Sequence, residues 1–274
     1  MPLLEFFRRE AIDAYSMVDF SLCRVKNESL FSRLFSDASP KFALVFLLPY
    51  FVSGVCPTLS RYAVAEDYHL YVKDLETRMK AADGSVLAVC ADHSPIDERD
   101  AALRAGLGVR GKNGLLIHPK YGSFCFVATA FLKDAPEDVP LTSGVAPRDC
   151  EDCGACLAAC PVGALSGEGE CLSALSQKKN VAKEELELLK KHRVLWGCDV
   201  CQDACPHNRD LPDTPVAFFR EKLIPVLTSR KLDALLATGE FSRRAYAWRG
   251  EATIRRNLEN LEEIDAKKDE ERRA

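Results

Sequence analysis

Cysteine spacing is the strongest chemical signal in this sequence. The first cysteine motif spans residues 150–161 and has the form Cys-x2-Cys-x2-Cys-x3-Cys-Pro. Three thiolates separated by two residues each can surround one cubic [4Fe–4S] cluster, and the fourth thiolate then points toward a second cluster. The spacing therefore predicts a ferredoxin-like segment that holds two clusters.

A second motif, Cys-x2-Cys-x3-Cys-Pro at residues 198–206, supplies three more thiolates. Cys171, between the two motifs, completes the eight ligands that two four-iron clusters need. By the ligand exchange typical of ferredoxins, one cluster is expected on Cys150, Cys153, Cys156 and Cys205. The other cluster is expected on Cys160, Cys171, Cys198 and Cys201.

Zinc and disulfides are the two alternative explanations of clustered cysteines. Zinc sites also use four cysteines, but usually as two separated pairs rather than an unbroken run closed by proline. Disulfides need an oxidising compartment, and residues 1–17 lack the basic start and long apolar run of a secretory signal. For the four remaining cysteines a buried, inert thiol is the ordinary role. They are Cys23, Cys56, Cys90 and Cys125, of which Cys56, in a Gly/Pro loop, has the better functional claim.

Length and composition are those of a globular protein. Of its residues, 47% are hydrophobic and 28% are charged, and its length of 274 residues is sufficient for two domains. A net charge of −4 and a pI near 5.8 disfavour a surface coated in positive charge for nucleic acid, though not a local basic patch. The most apolar run, residues 42–52, has 11 residues, whereas a bilayer span needs roughly 20. We therefore expect a cytoplasmic protein.

Hydrophobic periodicity predicts alternating helices and strands in the first half of the chain. Helices are predicted over residues 1–35, 67–81 and 97–105. Strands are predicted over residues 42–48, 86–90, 115–118 and 124–132. Alternation of this kind indicates an α/β or α+β layered domain.

The proline-rich segment 134–149 is predicted to be a linker. We expect a first domain over residues 1–140, a double-cluster domain over 141–210, and a helical C-terminal tail over 211–274.

The segment 92–113 carries the residue types of a cofactor site. It combines Asp92 at a predicted strand end, a glycine-rich turn at residues 106–111, and the pair Lys112-Asn113. The glycine pattern does not follow a strand, as a dinucleotide-binding turn does. Without further information, the turn could equally be solvated, and Asp92 could be a simple helix cap.

An ordered series of motifs resembles the epoxyqueuosine reductases, which are corrinoid and iron–sulfur enzymes of queuosine tRNA modification related to reductive dehalogenases. The resemblance runs from about Phe42 to Asn257 and includes all eight motif cysteines. The other matching segments are Ser60-Arg61-Tyr62-Ala63, Asp67-Tyr68-His69, Asp92-x-x-Pro95-x-x-Glu98-Arg99, Ala105-Gly106-Leu107-Gly108, Gly111-Lys112-Asn113, Tyr121-Gly122-Ser123, Cys205-Pro206-x-Asn208, Trp248-Arg249-Gly250 and Arg255-Arg256-Asn257.

The resemblance implies an α+β fold in which an N-terminal α/β, nitroreductase-like domain binds cobalamin and precedes a ferredoxin-like double [4Fe–4S] domain. Electrons would come from an external ferredoxin- or flavodoxin-type donor, pass through the clusters to cobalt, and reduce epoxyqueuosine in tRNA. The acid of the family's D-x-x-P motif, here Asp92, would be the proton donor. Such an acid needs a pKa near neutrality, which burial beside an apolar corrin would give.

The resemblance also implies contacts to the cofactor. Besides Asp92, these are Tyr62, His69, Lys112, Asn113, Ser123 and Phe124, with Asp67 and Tyr68 supporting the same site. His69 on a helix could equally be structural. No histidine ligand to cobalt follows from spacing.

Three departures from the family pattern concern the substrate. Val109-Arg110 replaces the usual Trp-Ile, and His93 stands where a small hydroxyl residue is common. The helical repeats that help family members to hold tRNA are expected to be missing. Residues 241–257 contain five arginines and one acid, which is either a phosphate-binding patch or a solvated helix face. The alternatives to a tRNA enzyme are a small-molecule reductase and a dicluster electron carrier.

Overall fold

The computed structural model describes residues 1–55 and 58–273, with side chains described as far as residue 262, so Cys56 lies outside the described residues. Spatial contacts divide the chain into two compact units. Unit 1 comprises Met1–Ser53, Tyr68–Cys153 and His207–Arg220, and unit 2 comprises Gly54–Asp67, Gly154–Pro206 and Glu221–Ala274. Each unit is assembled from separated stretches of chain, and the domain boundaries at residues 140 and 210 stay predictions.

Unit 1 contains a five-stranded sheet in the order β3-β6-β2-β1-β7, and a separate hairpin of β4 and β5. The strands are β1 Tyr15–Asp19, β2 Phe42–Pro49, β3 Val86–Ala91, β4 Val109–Arg110, β5 Leu116–Ile117, β6 Cys125–Leu132 and β7 Leu141–Thr142. All pairs in the main sheet are antiparallel except the parallel pair of β1 with β7. The α+β class predicted from the sequence is confirmed.

Helices cover both faces of this sheet. They are α1 Leu3–Arg9, α2 Glu28–Leu34, α3 Tyr68–Ala82 and α4 Glu98–Arg104. On one face, the Phe46 ring of β2 lies 5.2 Å from the Phe7 ring of α1. On the other face, Val45 and Leu47 belong to a buried cluster that includes Leu103 of α4. Successive side chains of a strand point to opposite faces of the sheet, so β2 contributes to a hydrophobic core on each face.

Two sequence predictions for unit 1 need correction. Residues 1–35 are not one helical region, because β1 separates α1 from α2 and pairs Tyr15 with Phe46. Pairing with an apolar central strand outweighs weak helical periodicity here. The predicted linker at 134–149 contains β7, which extends the sheet at its edge.

Unit 2 is helical. Its helices are α5 Ala155–Ala159, α6 Leu172–Ser176, α7 Lys183–Lys191, α8 Val200–Asp203, α9 Ser229–Thr238 and α10 Glu251–Arg273. Trp196 and Tyr246 are fully buried in its core. The helices predicted after residue 211 are confirmed as α9 and α10. Among the residues that the structure describes, no helix has the length and apolar content required to cross a bilayer.

Candidate active site and cluster-binding region

Asp92 follows β3 directly and begins the loop that connects this strand to α4. Its backbone adopts a positive φ of 64°, a conformation that costs a non-glycine residue free energy. The side chain is exposed. Burial of Asp92 beside a corrin stays a prediction, and the acid whose carboxyl group is buried by the protein itself is a neighbour.

That neighbour is Glu98, the first residue of α4. Its Oε2 accepts a hydrogen bond of 2.6 Å from the backbone N–H of Asp92. Its Oε1 is buried and has no hydrogen-bond partner among the described residues. Burial raises the pKa of Glu98 to about 8, and the negative charge of Asp92 acts in the same direction. Glu98 is thus largely protonated at neutral pH.

The Tyr121-Gly122-Ser123 turn is fixed by Asn208. The side-chain oxygen of Asn208 accepts from the Ser123 N–H at 2.8 Å, and its amide donates to the Ser123 hydroxyl at 2.8 Å. Gly122 has a φ of 58°, and a Cβ there would lie 2.0 Å from the same Asn208 oxygen. Only glycine fits this close approach. The turn predicted to contact a cofactor is therefore rigid.

Lys112 and Asn113 follow the hairpin strand β4. Lys112 Nζ donates to Asp152 at 2.9 Å, and both side chains are at least half exposed. This ion pair raises the pKa of Lys112, and the nearby Cys150 acts in the same direction. Asn113 accepts from the N–H of Leu115 and so caps the turn. The structure places Lys112 beside the first cysteine motif.

The N-terminal end of β6 presents a half-exposed apolar surface. Residues 125–127 of this strand are half-buried, whereas 128–132 are fully buried. The Phe126 ring stacks on Tyr68 at 3.9 Å and lies 4.6 Å from Tyr50. Predicted contact Phe124 is buried beside this surface, and His69 is exposed on α3. A partly open aromatic surface flanked by polar turns fits a flat, largely apolar macrocycle such as a corrin.

Tyr62, the remaining predicted cofactor contact, belongs to unit 2. Its hydroxyl accepts a hydrogen bond of 2.8 Å from Trp196 Nε1. Trp196 comes two residues before Cys198. The buried Trp196 side chain therefore links Tyr62 to the chain segment that leads into the second cysteine motif.

The first cysteine motif begins in a tight loop. Asp152 and Gly154 both have positive φ, at 52° and 74°, which lets the chain reverse direction between successive cysteines. Helix α5 then carries Cys156, and it packs against α8, which carries Cys201. Both motifs thus meet within unit 2.

Cys160 and Cys198 have opposite electrostatic surroundings. Burial raises the pKa of Cys160, but hydrogen bonds from backbone N–H groups, including that of Ala164 at 3.3 Å, bring it below its ordinary value. The pKa of Cys198 is raised, first by burial and further by the charges of Cys171 and Cys160. The charges of Cys160 and Cys171 thus reach Cys198, and the assignment of the three thiols to one cluster stays a prediction.

Asp199 holds the second motif in place. It is 8% exposed, and it accepts from the Ser60 hydroxyl and from the Arg61 N–H at 2.7 Å. Gln202 donates to it at 3.1 Å. Sequence reasoning missed this role, because nothing in the spacing separates Asp199 from any other acid in the motif. The Ser60-Arg61 match to the family was the available signal.

Three described cysteines that are not proposed as cluster ligands, Cys23, Cys90 and Cys125, have raised pKa values. Burial raises the pKa of Cys23 and of Cys90 to about 12, and that of Cys125 above its ordinary value. Their thiols therefore stay protonated, which agrees with the inert role expected for them.

The arginines of residues 241–257 are engaged inside unit 2. Their partners are Glu66 for Arg243, the Lys222 carbonyl for Arg244, the Trp248 ring for Arg249, Asp233 and Glu251 for Arg255, and the carbonyls of Lys178 and Lys179 for Arg256. Four of these guanidinium groups are thus hydrogen-bonded within the fold, and that of Arg249 stacks on the neighbouring Trp248 ring.

A comparison with known protein families identifies the class of the cysteine-rich region. Residues 149–208 match the family described as a 4Fe-4S double cluster binding domain. Iron–sulfur clusters rather than zinc are therefore the metal centres of this region. The chain is an α+β protein with a double-cluster domain.

The particular family follows from two curated relatives. The chain is 33% identical over 222 residues to an epoxyqueuosine reductase of Lactococcus garvieae, covering 73% of this chain and 60% of the relative. It is 35% identical over 211 residues to an epoxyqueuosine reductase of Listeria monocytogenes, covering 70% and 53%. The chain is thus a relative of the epoxyqueuosine reductase family, as its motifs predicted, and spans roughly half to three fifths of the length of these two proteins.

Solved structures show the same fold. The epoxyqueuosine reductase of Streptococcus thermophilus has a TM-score of 0.70 at 22% identity, covering 94% of this chain and 79% of that one. A crystal structure of an epoxyqueuosine reductase with an epoxyqueuosine-modified tRNA stem loop has a TM-score of 0.67 at 22% identity, covering the same shares.

Proposed function

We propose that this chain is a cobalamin- and iron–sulfur-dependent reductase that converts epoxyqueuosine to queuosine in tRNA. One observation carries the proposal: the chain combines a double-cluster domain with Asp92, an exposed acid on a strained turn at the end of β3. Electron supply and proton supply are the two requirements of reductive epoxide opening.

The reaction sets the tasks of the protein side chains. Converting an epoxide to an alkene breaks two C–O bonds, consumes two electrons and two protons, and releases water. When bound, the corrin and the clusters would supply the electrons to the reacting carbon. Asp92 would protonate the departing oxygen as general acid. The neighbouring turns, fixed by Asn208 and by Lys112, would hold the cofactor in position.

Eight cysteines are proposed as cluster ligands, four to each cluster as the spacing predicts. The mutual electrostatic influence of Cys160, Cys171 and Cys198 supports this assignment. Tyr62, His69, Lys112, Asn113, Ser123 and Phe124 are proposed to contact the cobalamin.

Transfer RNA is the proposed macromolecular substrate, and an external ferredoxin- or flavodoxin-type protein is the proposed electron donor. A related fold holds a tRNA stem loop that carries the same modified base, which supports the choice. We place the protein in the cytoplasm, where tRNA is modified.

A reductase of a small epoxide is the second candidate. It is favoured by the arginines of residues 241–257, whose guanidinium groups are used within the fold. Under this reading the cofactor and Asp92 keep their roles, and only the substrate differs.

One assay separates the two candidates. Protein reconstituted anaerobically with iron, sulfide and cobalamin is given either tRNA that contains epoxyqueuosine or a small epoxide, with a chemical reductant. Formation of queuosine only when cobalamin is present supports the proposal. Turnover of the small epoxide with no conversion of tRNA would replace it by the second candidate, and failure on both would overturn the reductase function.

A further inference from the structure

The 92–97 loop, which carries Asp92, is anchored differently at its two ends. At its far end, the Pro95 carbonyl accepts from the N–H groups of Lys26 and Asn27 at 2.8 and 3.1 Å. The Asp97 N–H donates to the Arg24 carbonyl at 2.9 Å, and the Asp97 carboxylate pairs with Lys26. This half of the loop is tied to a neighbouring segment by backbone hydrogen bonds.

The near end has one backbone contact and one side-chain contact. The His93 N–H donates to the Ala91 carbonyl at 2.7 Å across Asp92, and the Glu98 side chain holds the Asp92 N–H. Strand pairing of β3 with β6 ends at Ala91, opposite Ala128, so the ladder does not continue to Asp92. The Asp92 N–H instead donates to Glu98 Oε2 at 2.6 Å. Asp92 is held at a φ of 64°, which a neighbouring contact must stabilise.

We propose that Glu98 is the positioning residue of the Asp92 loop: its buried carboxyl group accepts the Asp92 N–H and so holds the proton donor in its working position. The proposal rests on the proposed function for the role of Asp92. It goes beyond that function, since it assigns a task to a residue outside the proposed proton donor and cofactor contacts.

The protonation state of Glu98 makes this contact pH-dependent. Asp92 and Ser94 of the loop, Asp97 at the cap of α4, and Cys90 of β3 are the polar or titratable groups that interact with the carboxyl. Asp92 and Asp97 disfavour its ionisation, whereas the Asp92 N–H and the Ser94 hydroxyl favour it. Burial outweighs the favourable contacts, and Glu98 stays protonated until about pH 8. Ionisation then leaves a buried charge with an unpartnered Oε1.

Two variants of Glu98 test the proposal. Glu98→Gln keeps an oxygen acceptor and mimics the protonated acid, whereas Glu98→Leu keeps the volume and removes the acceptor. Asp74→Asn, at an exposed carboxylate of α3, is the matched control for the amide substitution. The measurement is amide hydrogen exchange of peptides covering residues 91–97 in the reconstituted protein without substrate.

We expect exchange about tenfold faster in Glu98→Leu than in wild type, the effect of losing one hydrogen bond of ordinary strength. Glu98→Gln and Asp74→Asn should retain wild-type protection. The Asp92 N–H favours the ionised form of Glu98, so the carboxylate is the stronger acceptor. In wild type, protection corrected for intrinsic exchange should therefore rise as the pH passes 8, and in Glu98→Gln it should not. Should Glu98→Leu not fold, this pH series decides the question by itself.

If folded Glu98→Leu exchanges its 91–97 amides as slowly as wild type, the proposal is overturned. It is also overturned if Glu98→Gln exchanges them as fast as Glu98→Leu. The proposed function fails separately. If wild type does not convert epoxyqueuosine while the exchange pattern holds, the substrate assignment falls and the positioning role stands.

Discussion

Two carboxyl groups that are six residues apart in the chain have opposite surroundings at the end of β3. Asp92 is exposed on a strained turn, and Glu98 is largely buried and protonated near neutral pH. We propose a different task for each group. Asp92 would exchange protons with the substrate and solvent, and the uncharged Glu98 would hold the backbone N–H of Asp92.

The proton-donor role of Asp92 predicts the behaviour of Asp92→Asn. An amide cannot donate a proton to the leaving oxygen, so kcat on epoxyqueuosine should fall by roughly 10²- to 10⁴-fold. The iron content and the cobalamin spectrum should be unchanged, since asparagine keeps the shape of the aspartate side chain. His93→Ser, which alters the same loop but keeps the carboxylate, should stay near wild-type kcat. Full activity of Asp92→Asn would remove Asp92 from the proton-donor role.

Glu98 also predicts a pH dependence of stability. Its pKa is raised from 4.5 to about 8, so the folded protein keeps a proton that the unfolded chain loses above about pH 4.5. The stabilisation is complete below that pH and is lost as the pH rises to 8. Between pH 6 and 9 the Tm of wild type should therefore fall more than the Tm of Glu98→Gln, measured anaerobically in matched buffers. An equal fall in both proteins would contradict a buried, protonated Glu98.

At the scale of elements, the Asn208 side chain controls the turn between β5 and β6. Gly122→Ala would place a Cβ 2.0 Å from the Asn208 oxygen at a φ of 58°. We expect a loss of about 1–3 kcal/mol of unfolding free energy, together with weaker cobalamin binding. Gly84→Ala is the control, because a Cβ at Gly84 meets nothing within 4 Å and its φ is not left-handed. Equal stability of the two variants, measured by urea unfolding, would show that the Asn208 contact is dispensable.

Sequence periodicity predicted the elements whose pattern is strong and local. The strands at 42–48 and 86–90 and the helix at 67–81 appear within one or two residues as β2, β3 and α3. Strands β1 and β7 were missed, because both are defined by pairing with distant residues. Short strands of this kind have no pattern of their own for periodicity to detect.

The residues of the candidate site also fall into two groups: those that the sequence predicts and those that only the structure identifies. The eight cysteines are visible in sequence because their chemistry depends on residue type and spacing, and Asp92 is singled out by its match to the family's D-x-x-P motif. Glu98 and Asn208 also stand in matched segments, but their roles and that of Asp199 are visible only in three dimensions, since what matters is which backbone groups their side chains reach. Burial of Glu98 rather than Asp92 likewise depends on how α4 packs on the sheet.

At the scale of the whole molecule, two units share the functional residues. Unit 1 contains Asp92 and the aromatic surface around Phe126. Unit 2 contains six of the eight cluster cysteines and Tyr62. Each unit includes a segment from the other half of the chain: unit 1 includes His207–Arg220, and unit 2 includes Gly54–Asp67.

The central claim is that eight thiolates hold two four-iron clusters, and anaerobic metal analysis tests it most directly. Wild type and the buried-thiol control Cys23→Ala should each contain about eight iron and eight sulfide per chain after reconstitution, and Cys171→Ala should retain about half. Zinc in place of iron, or an iron content that does not depend on Cys171, would contradict the account.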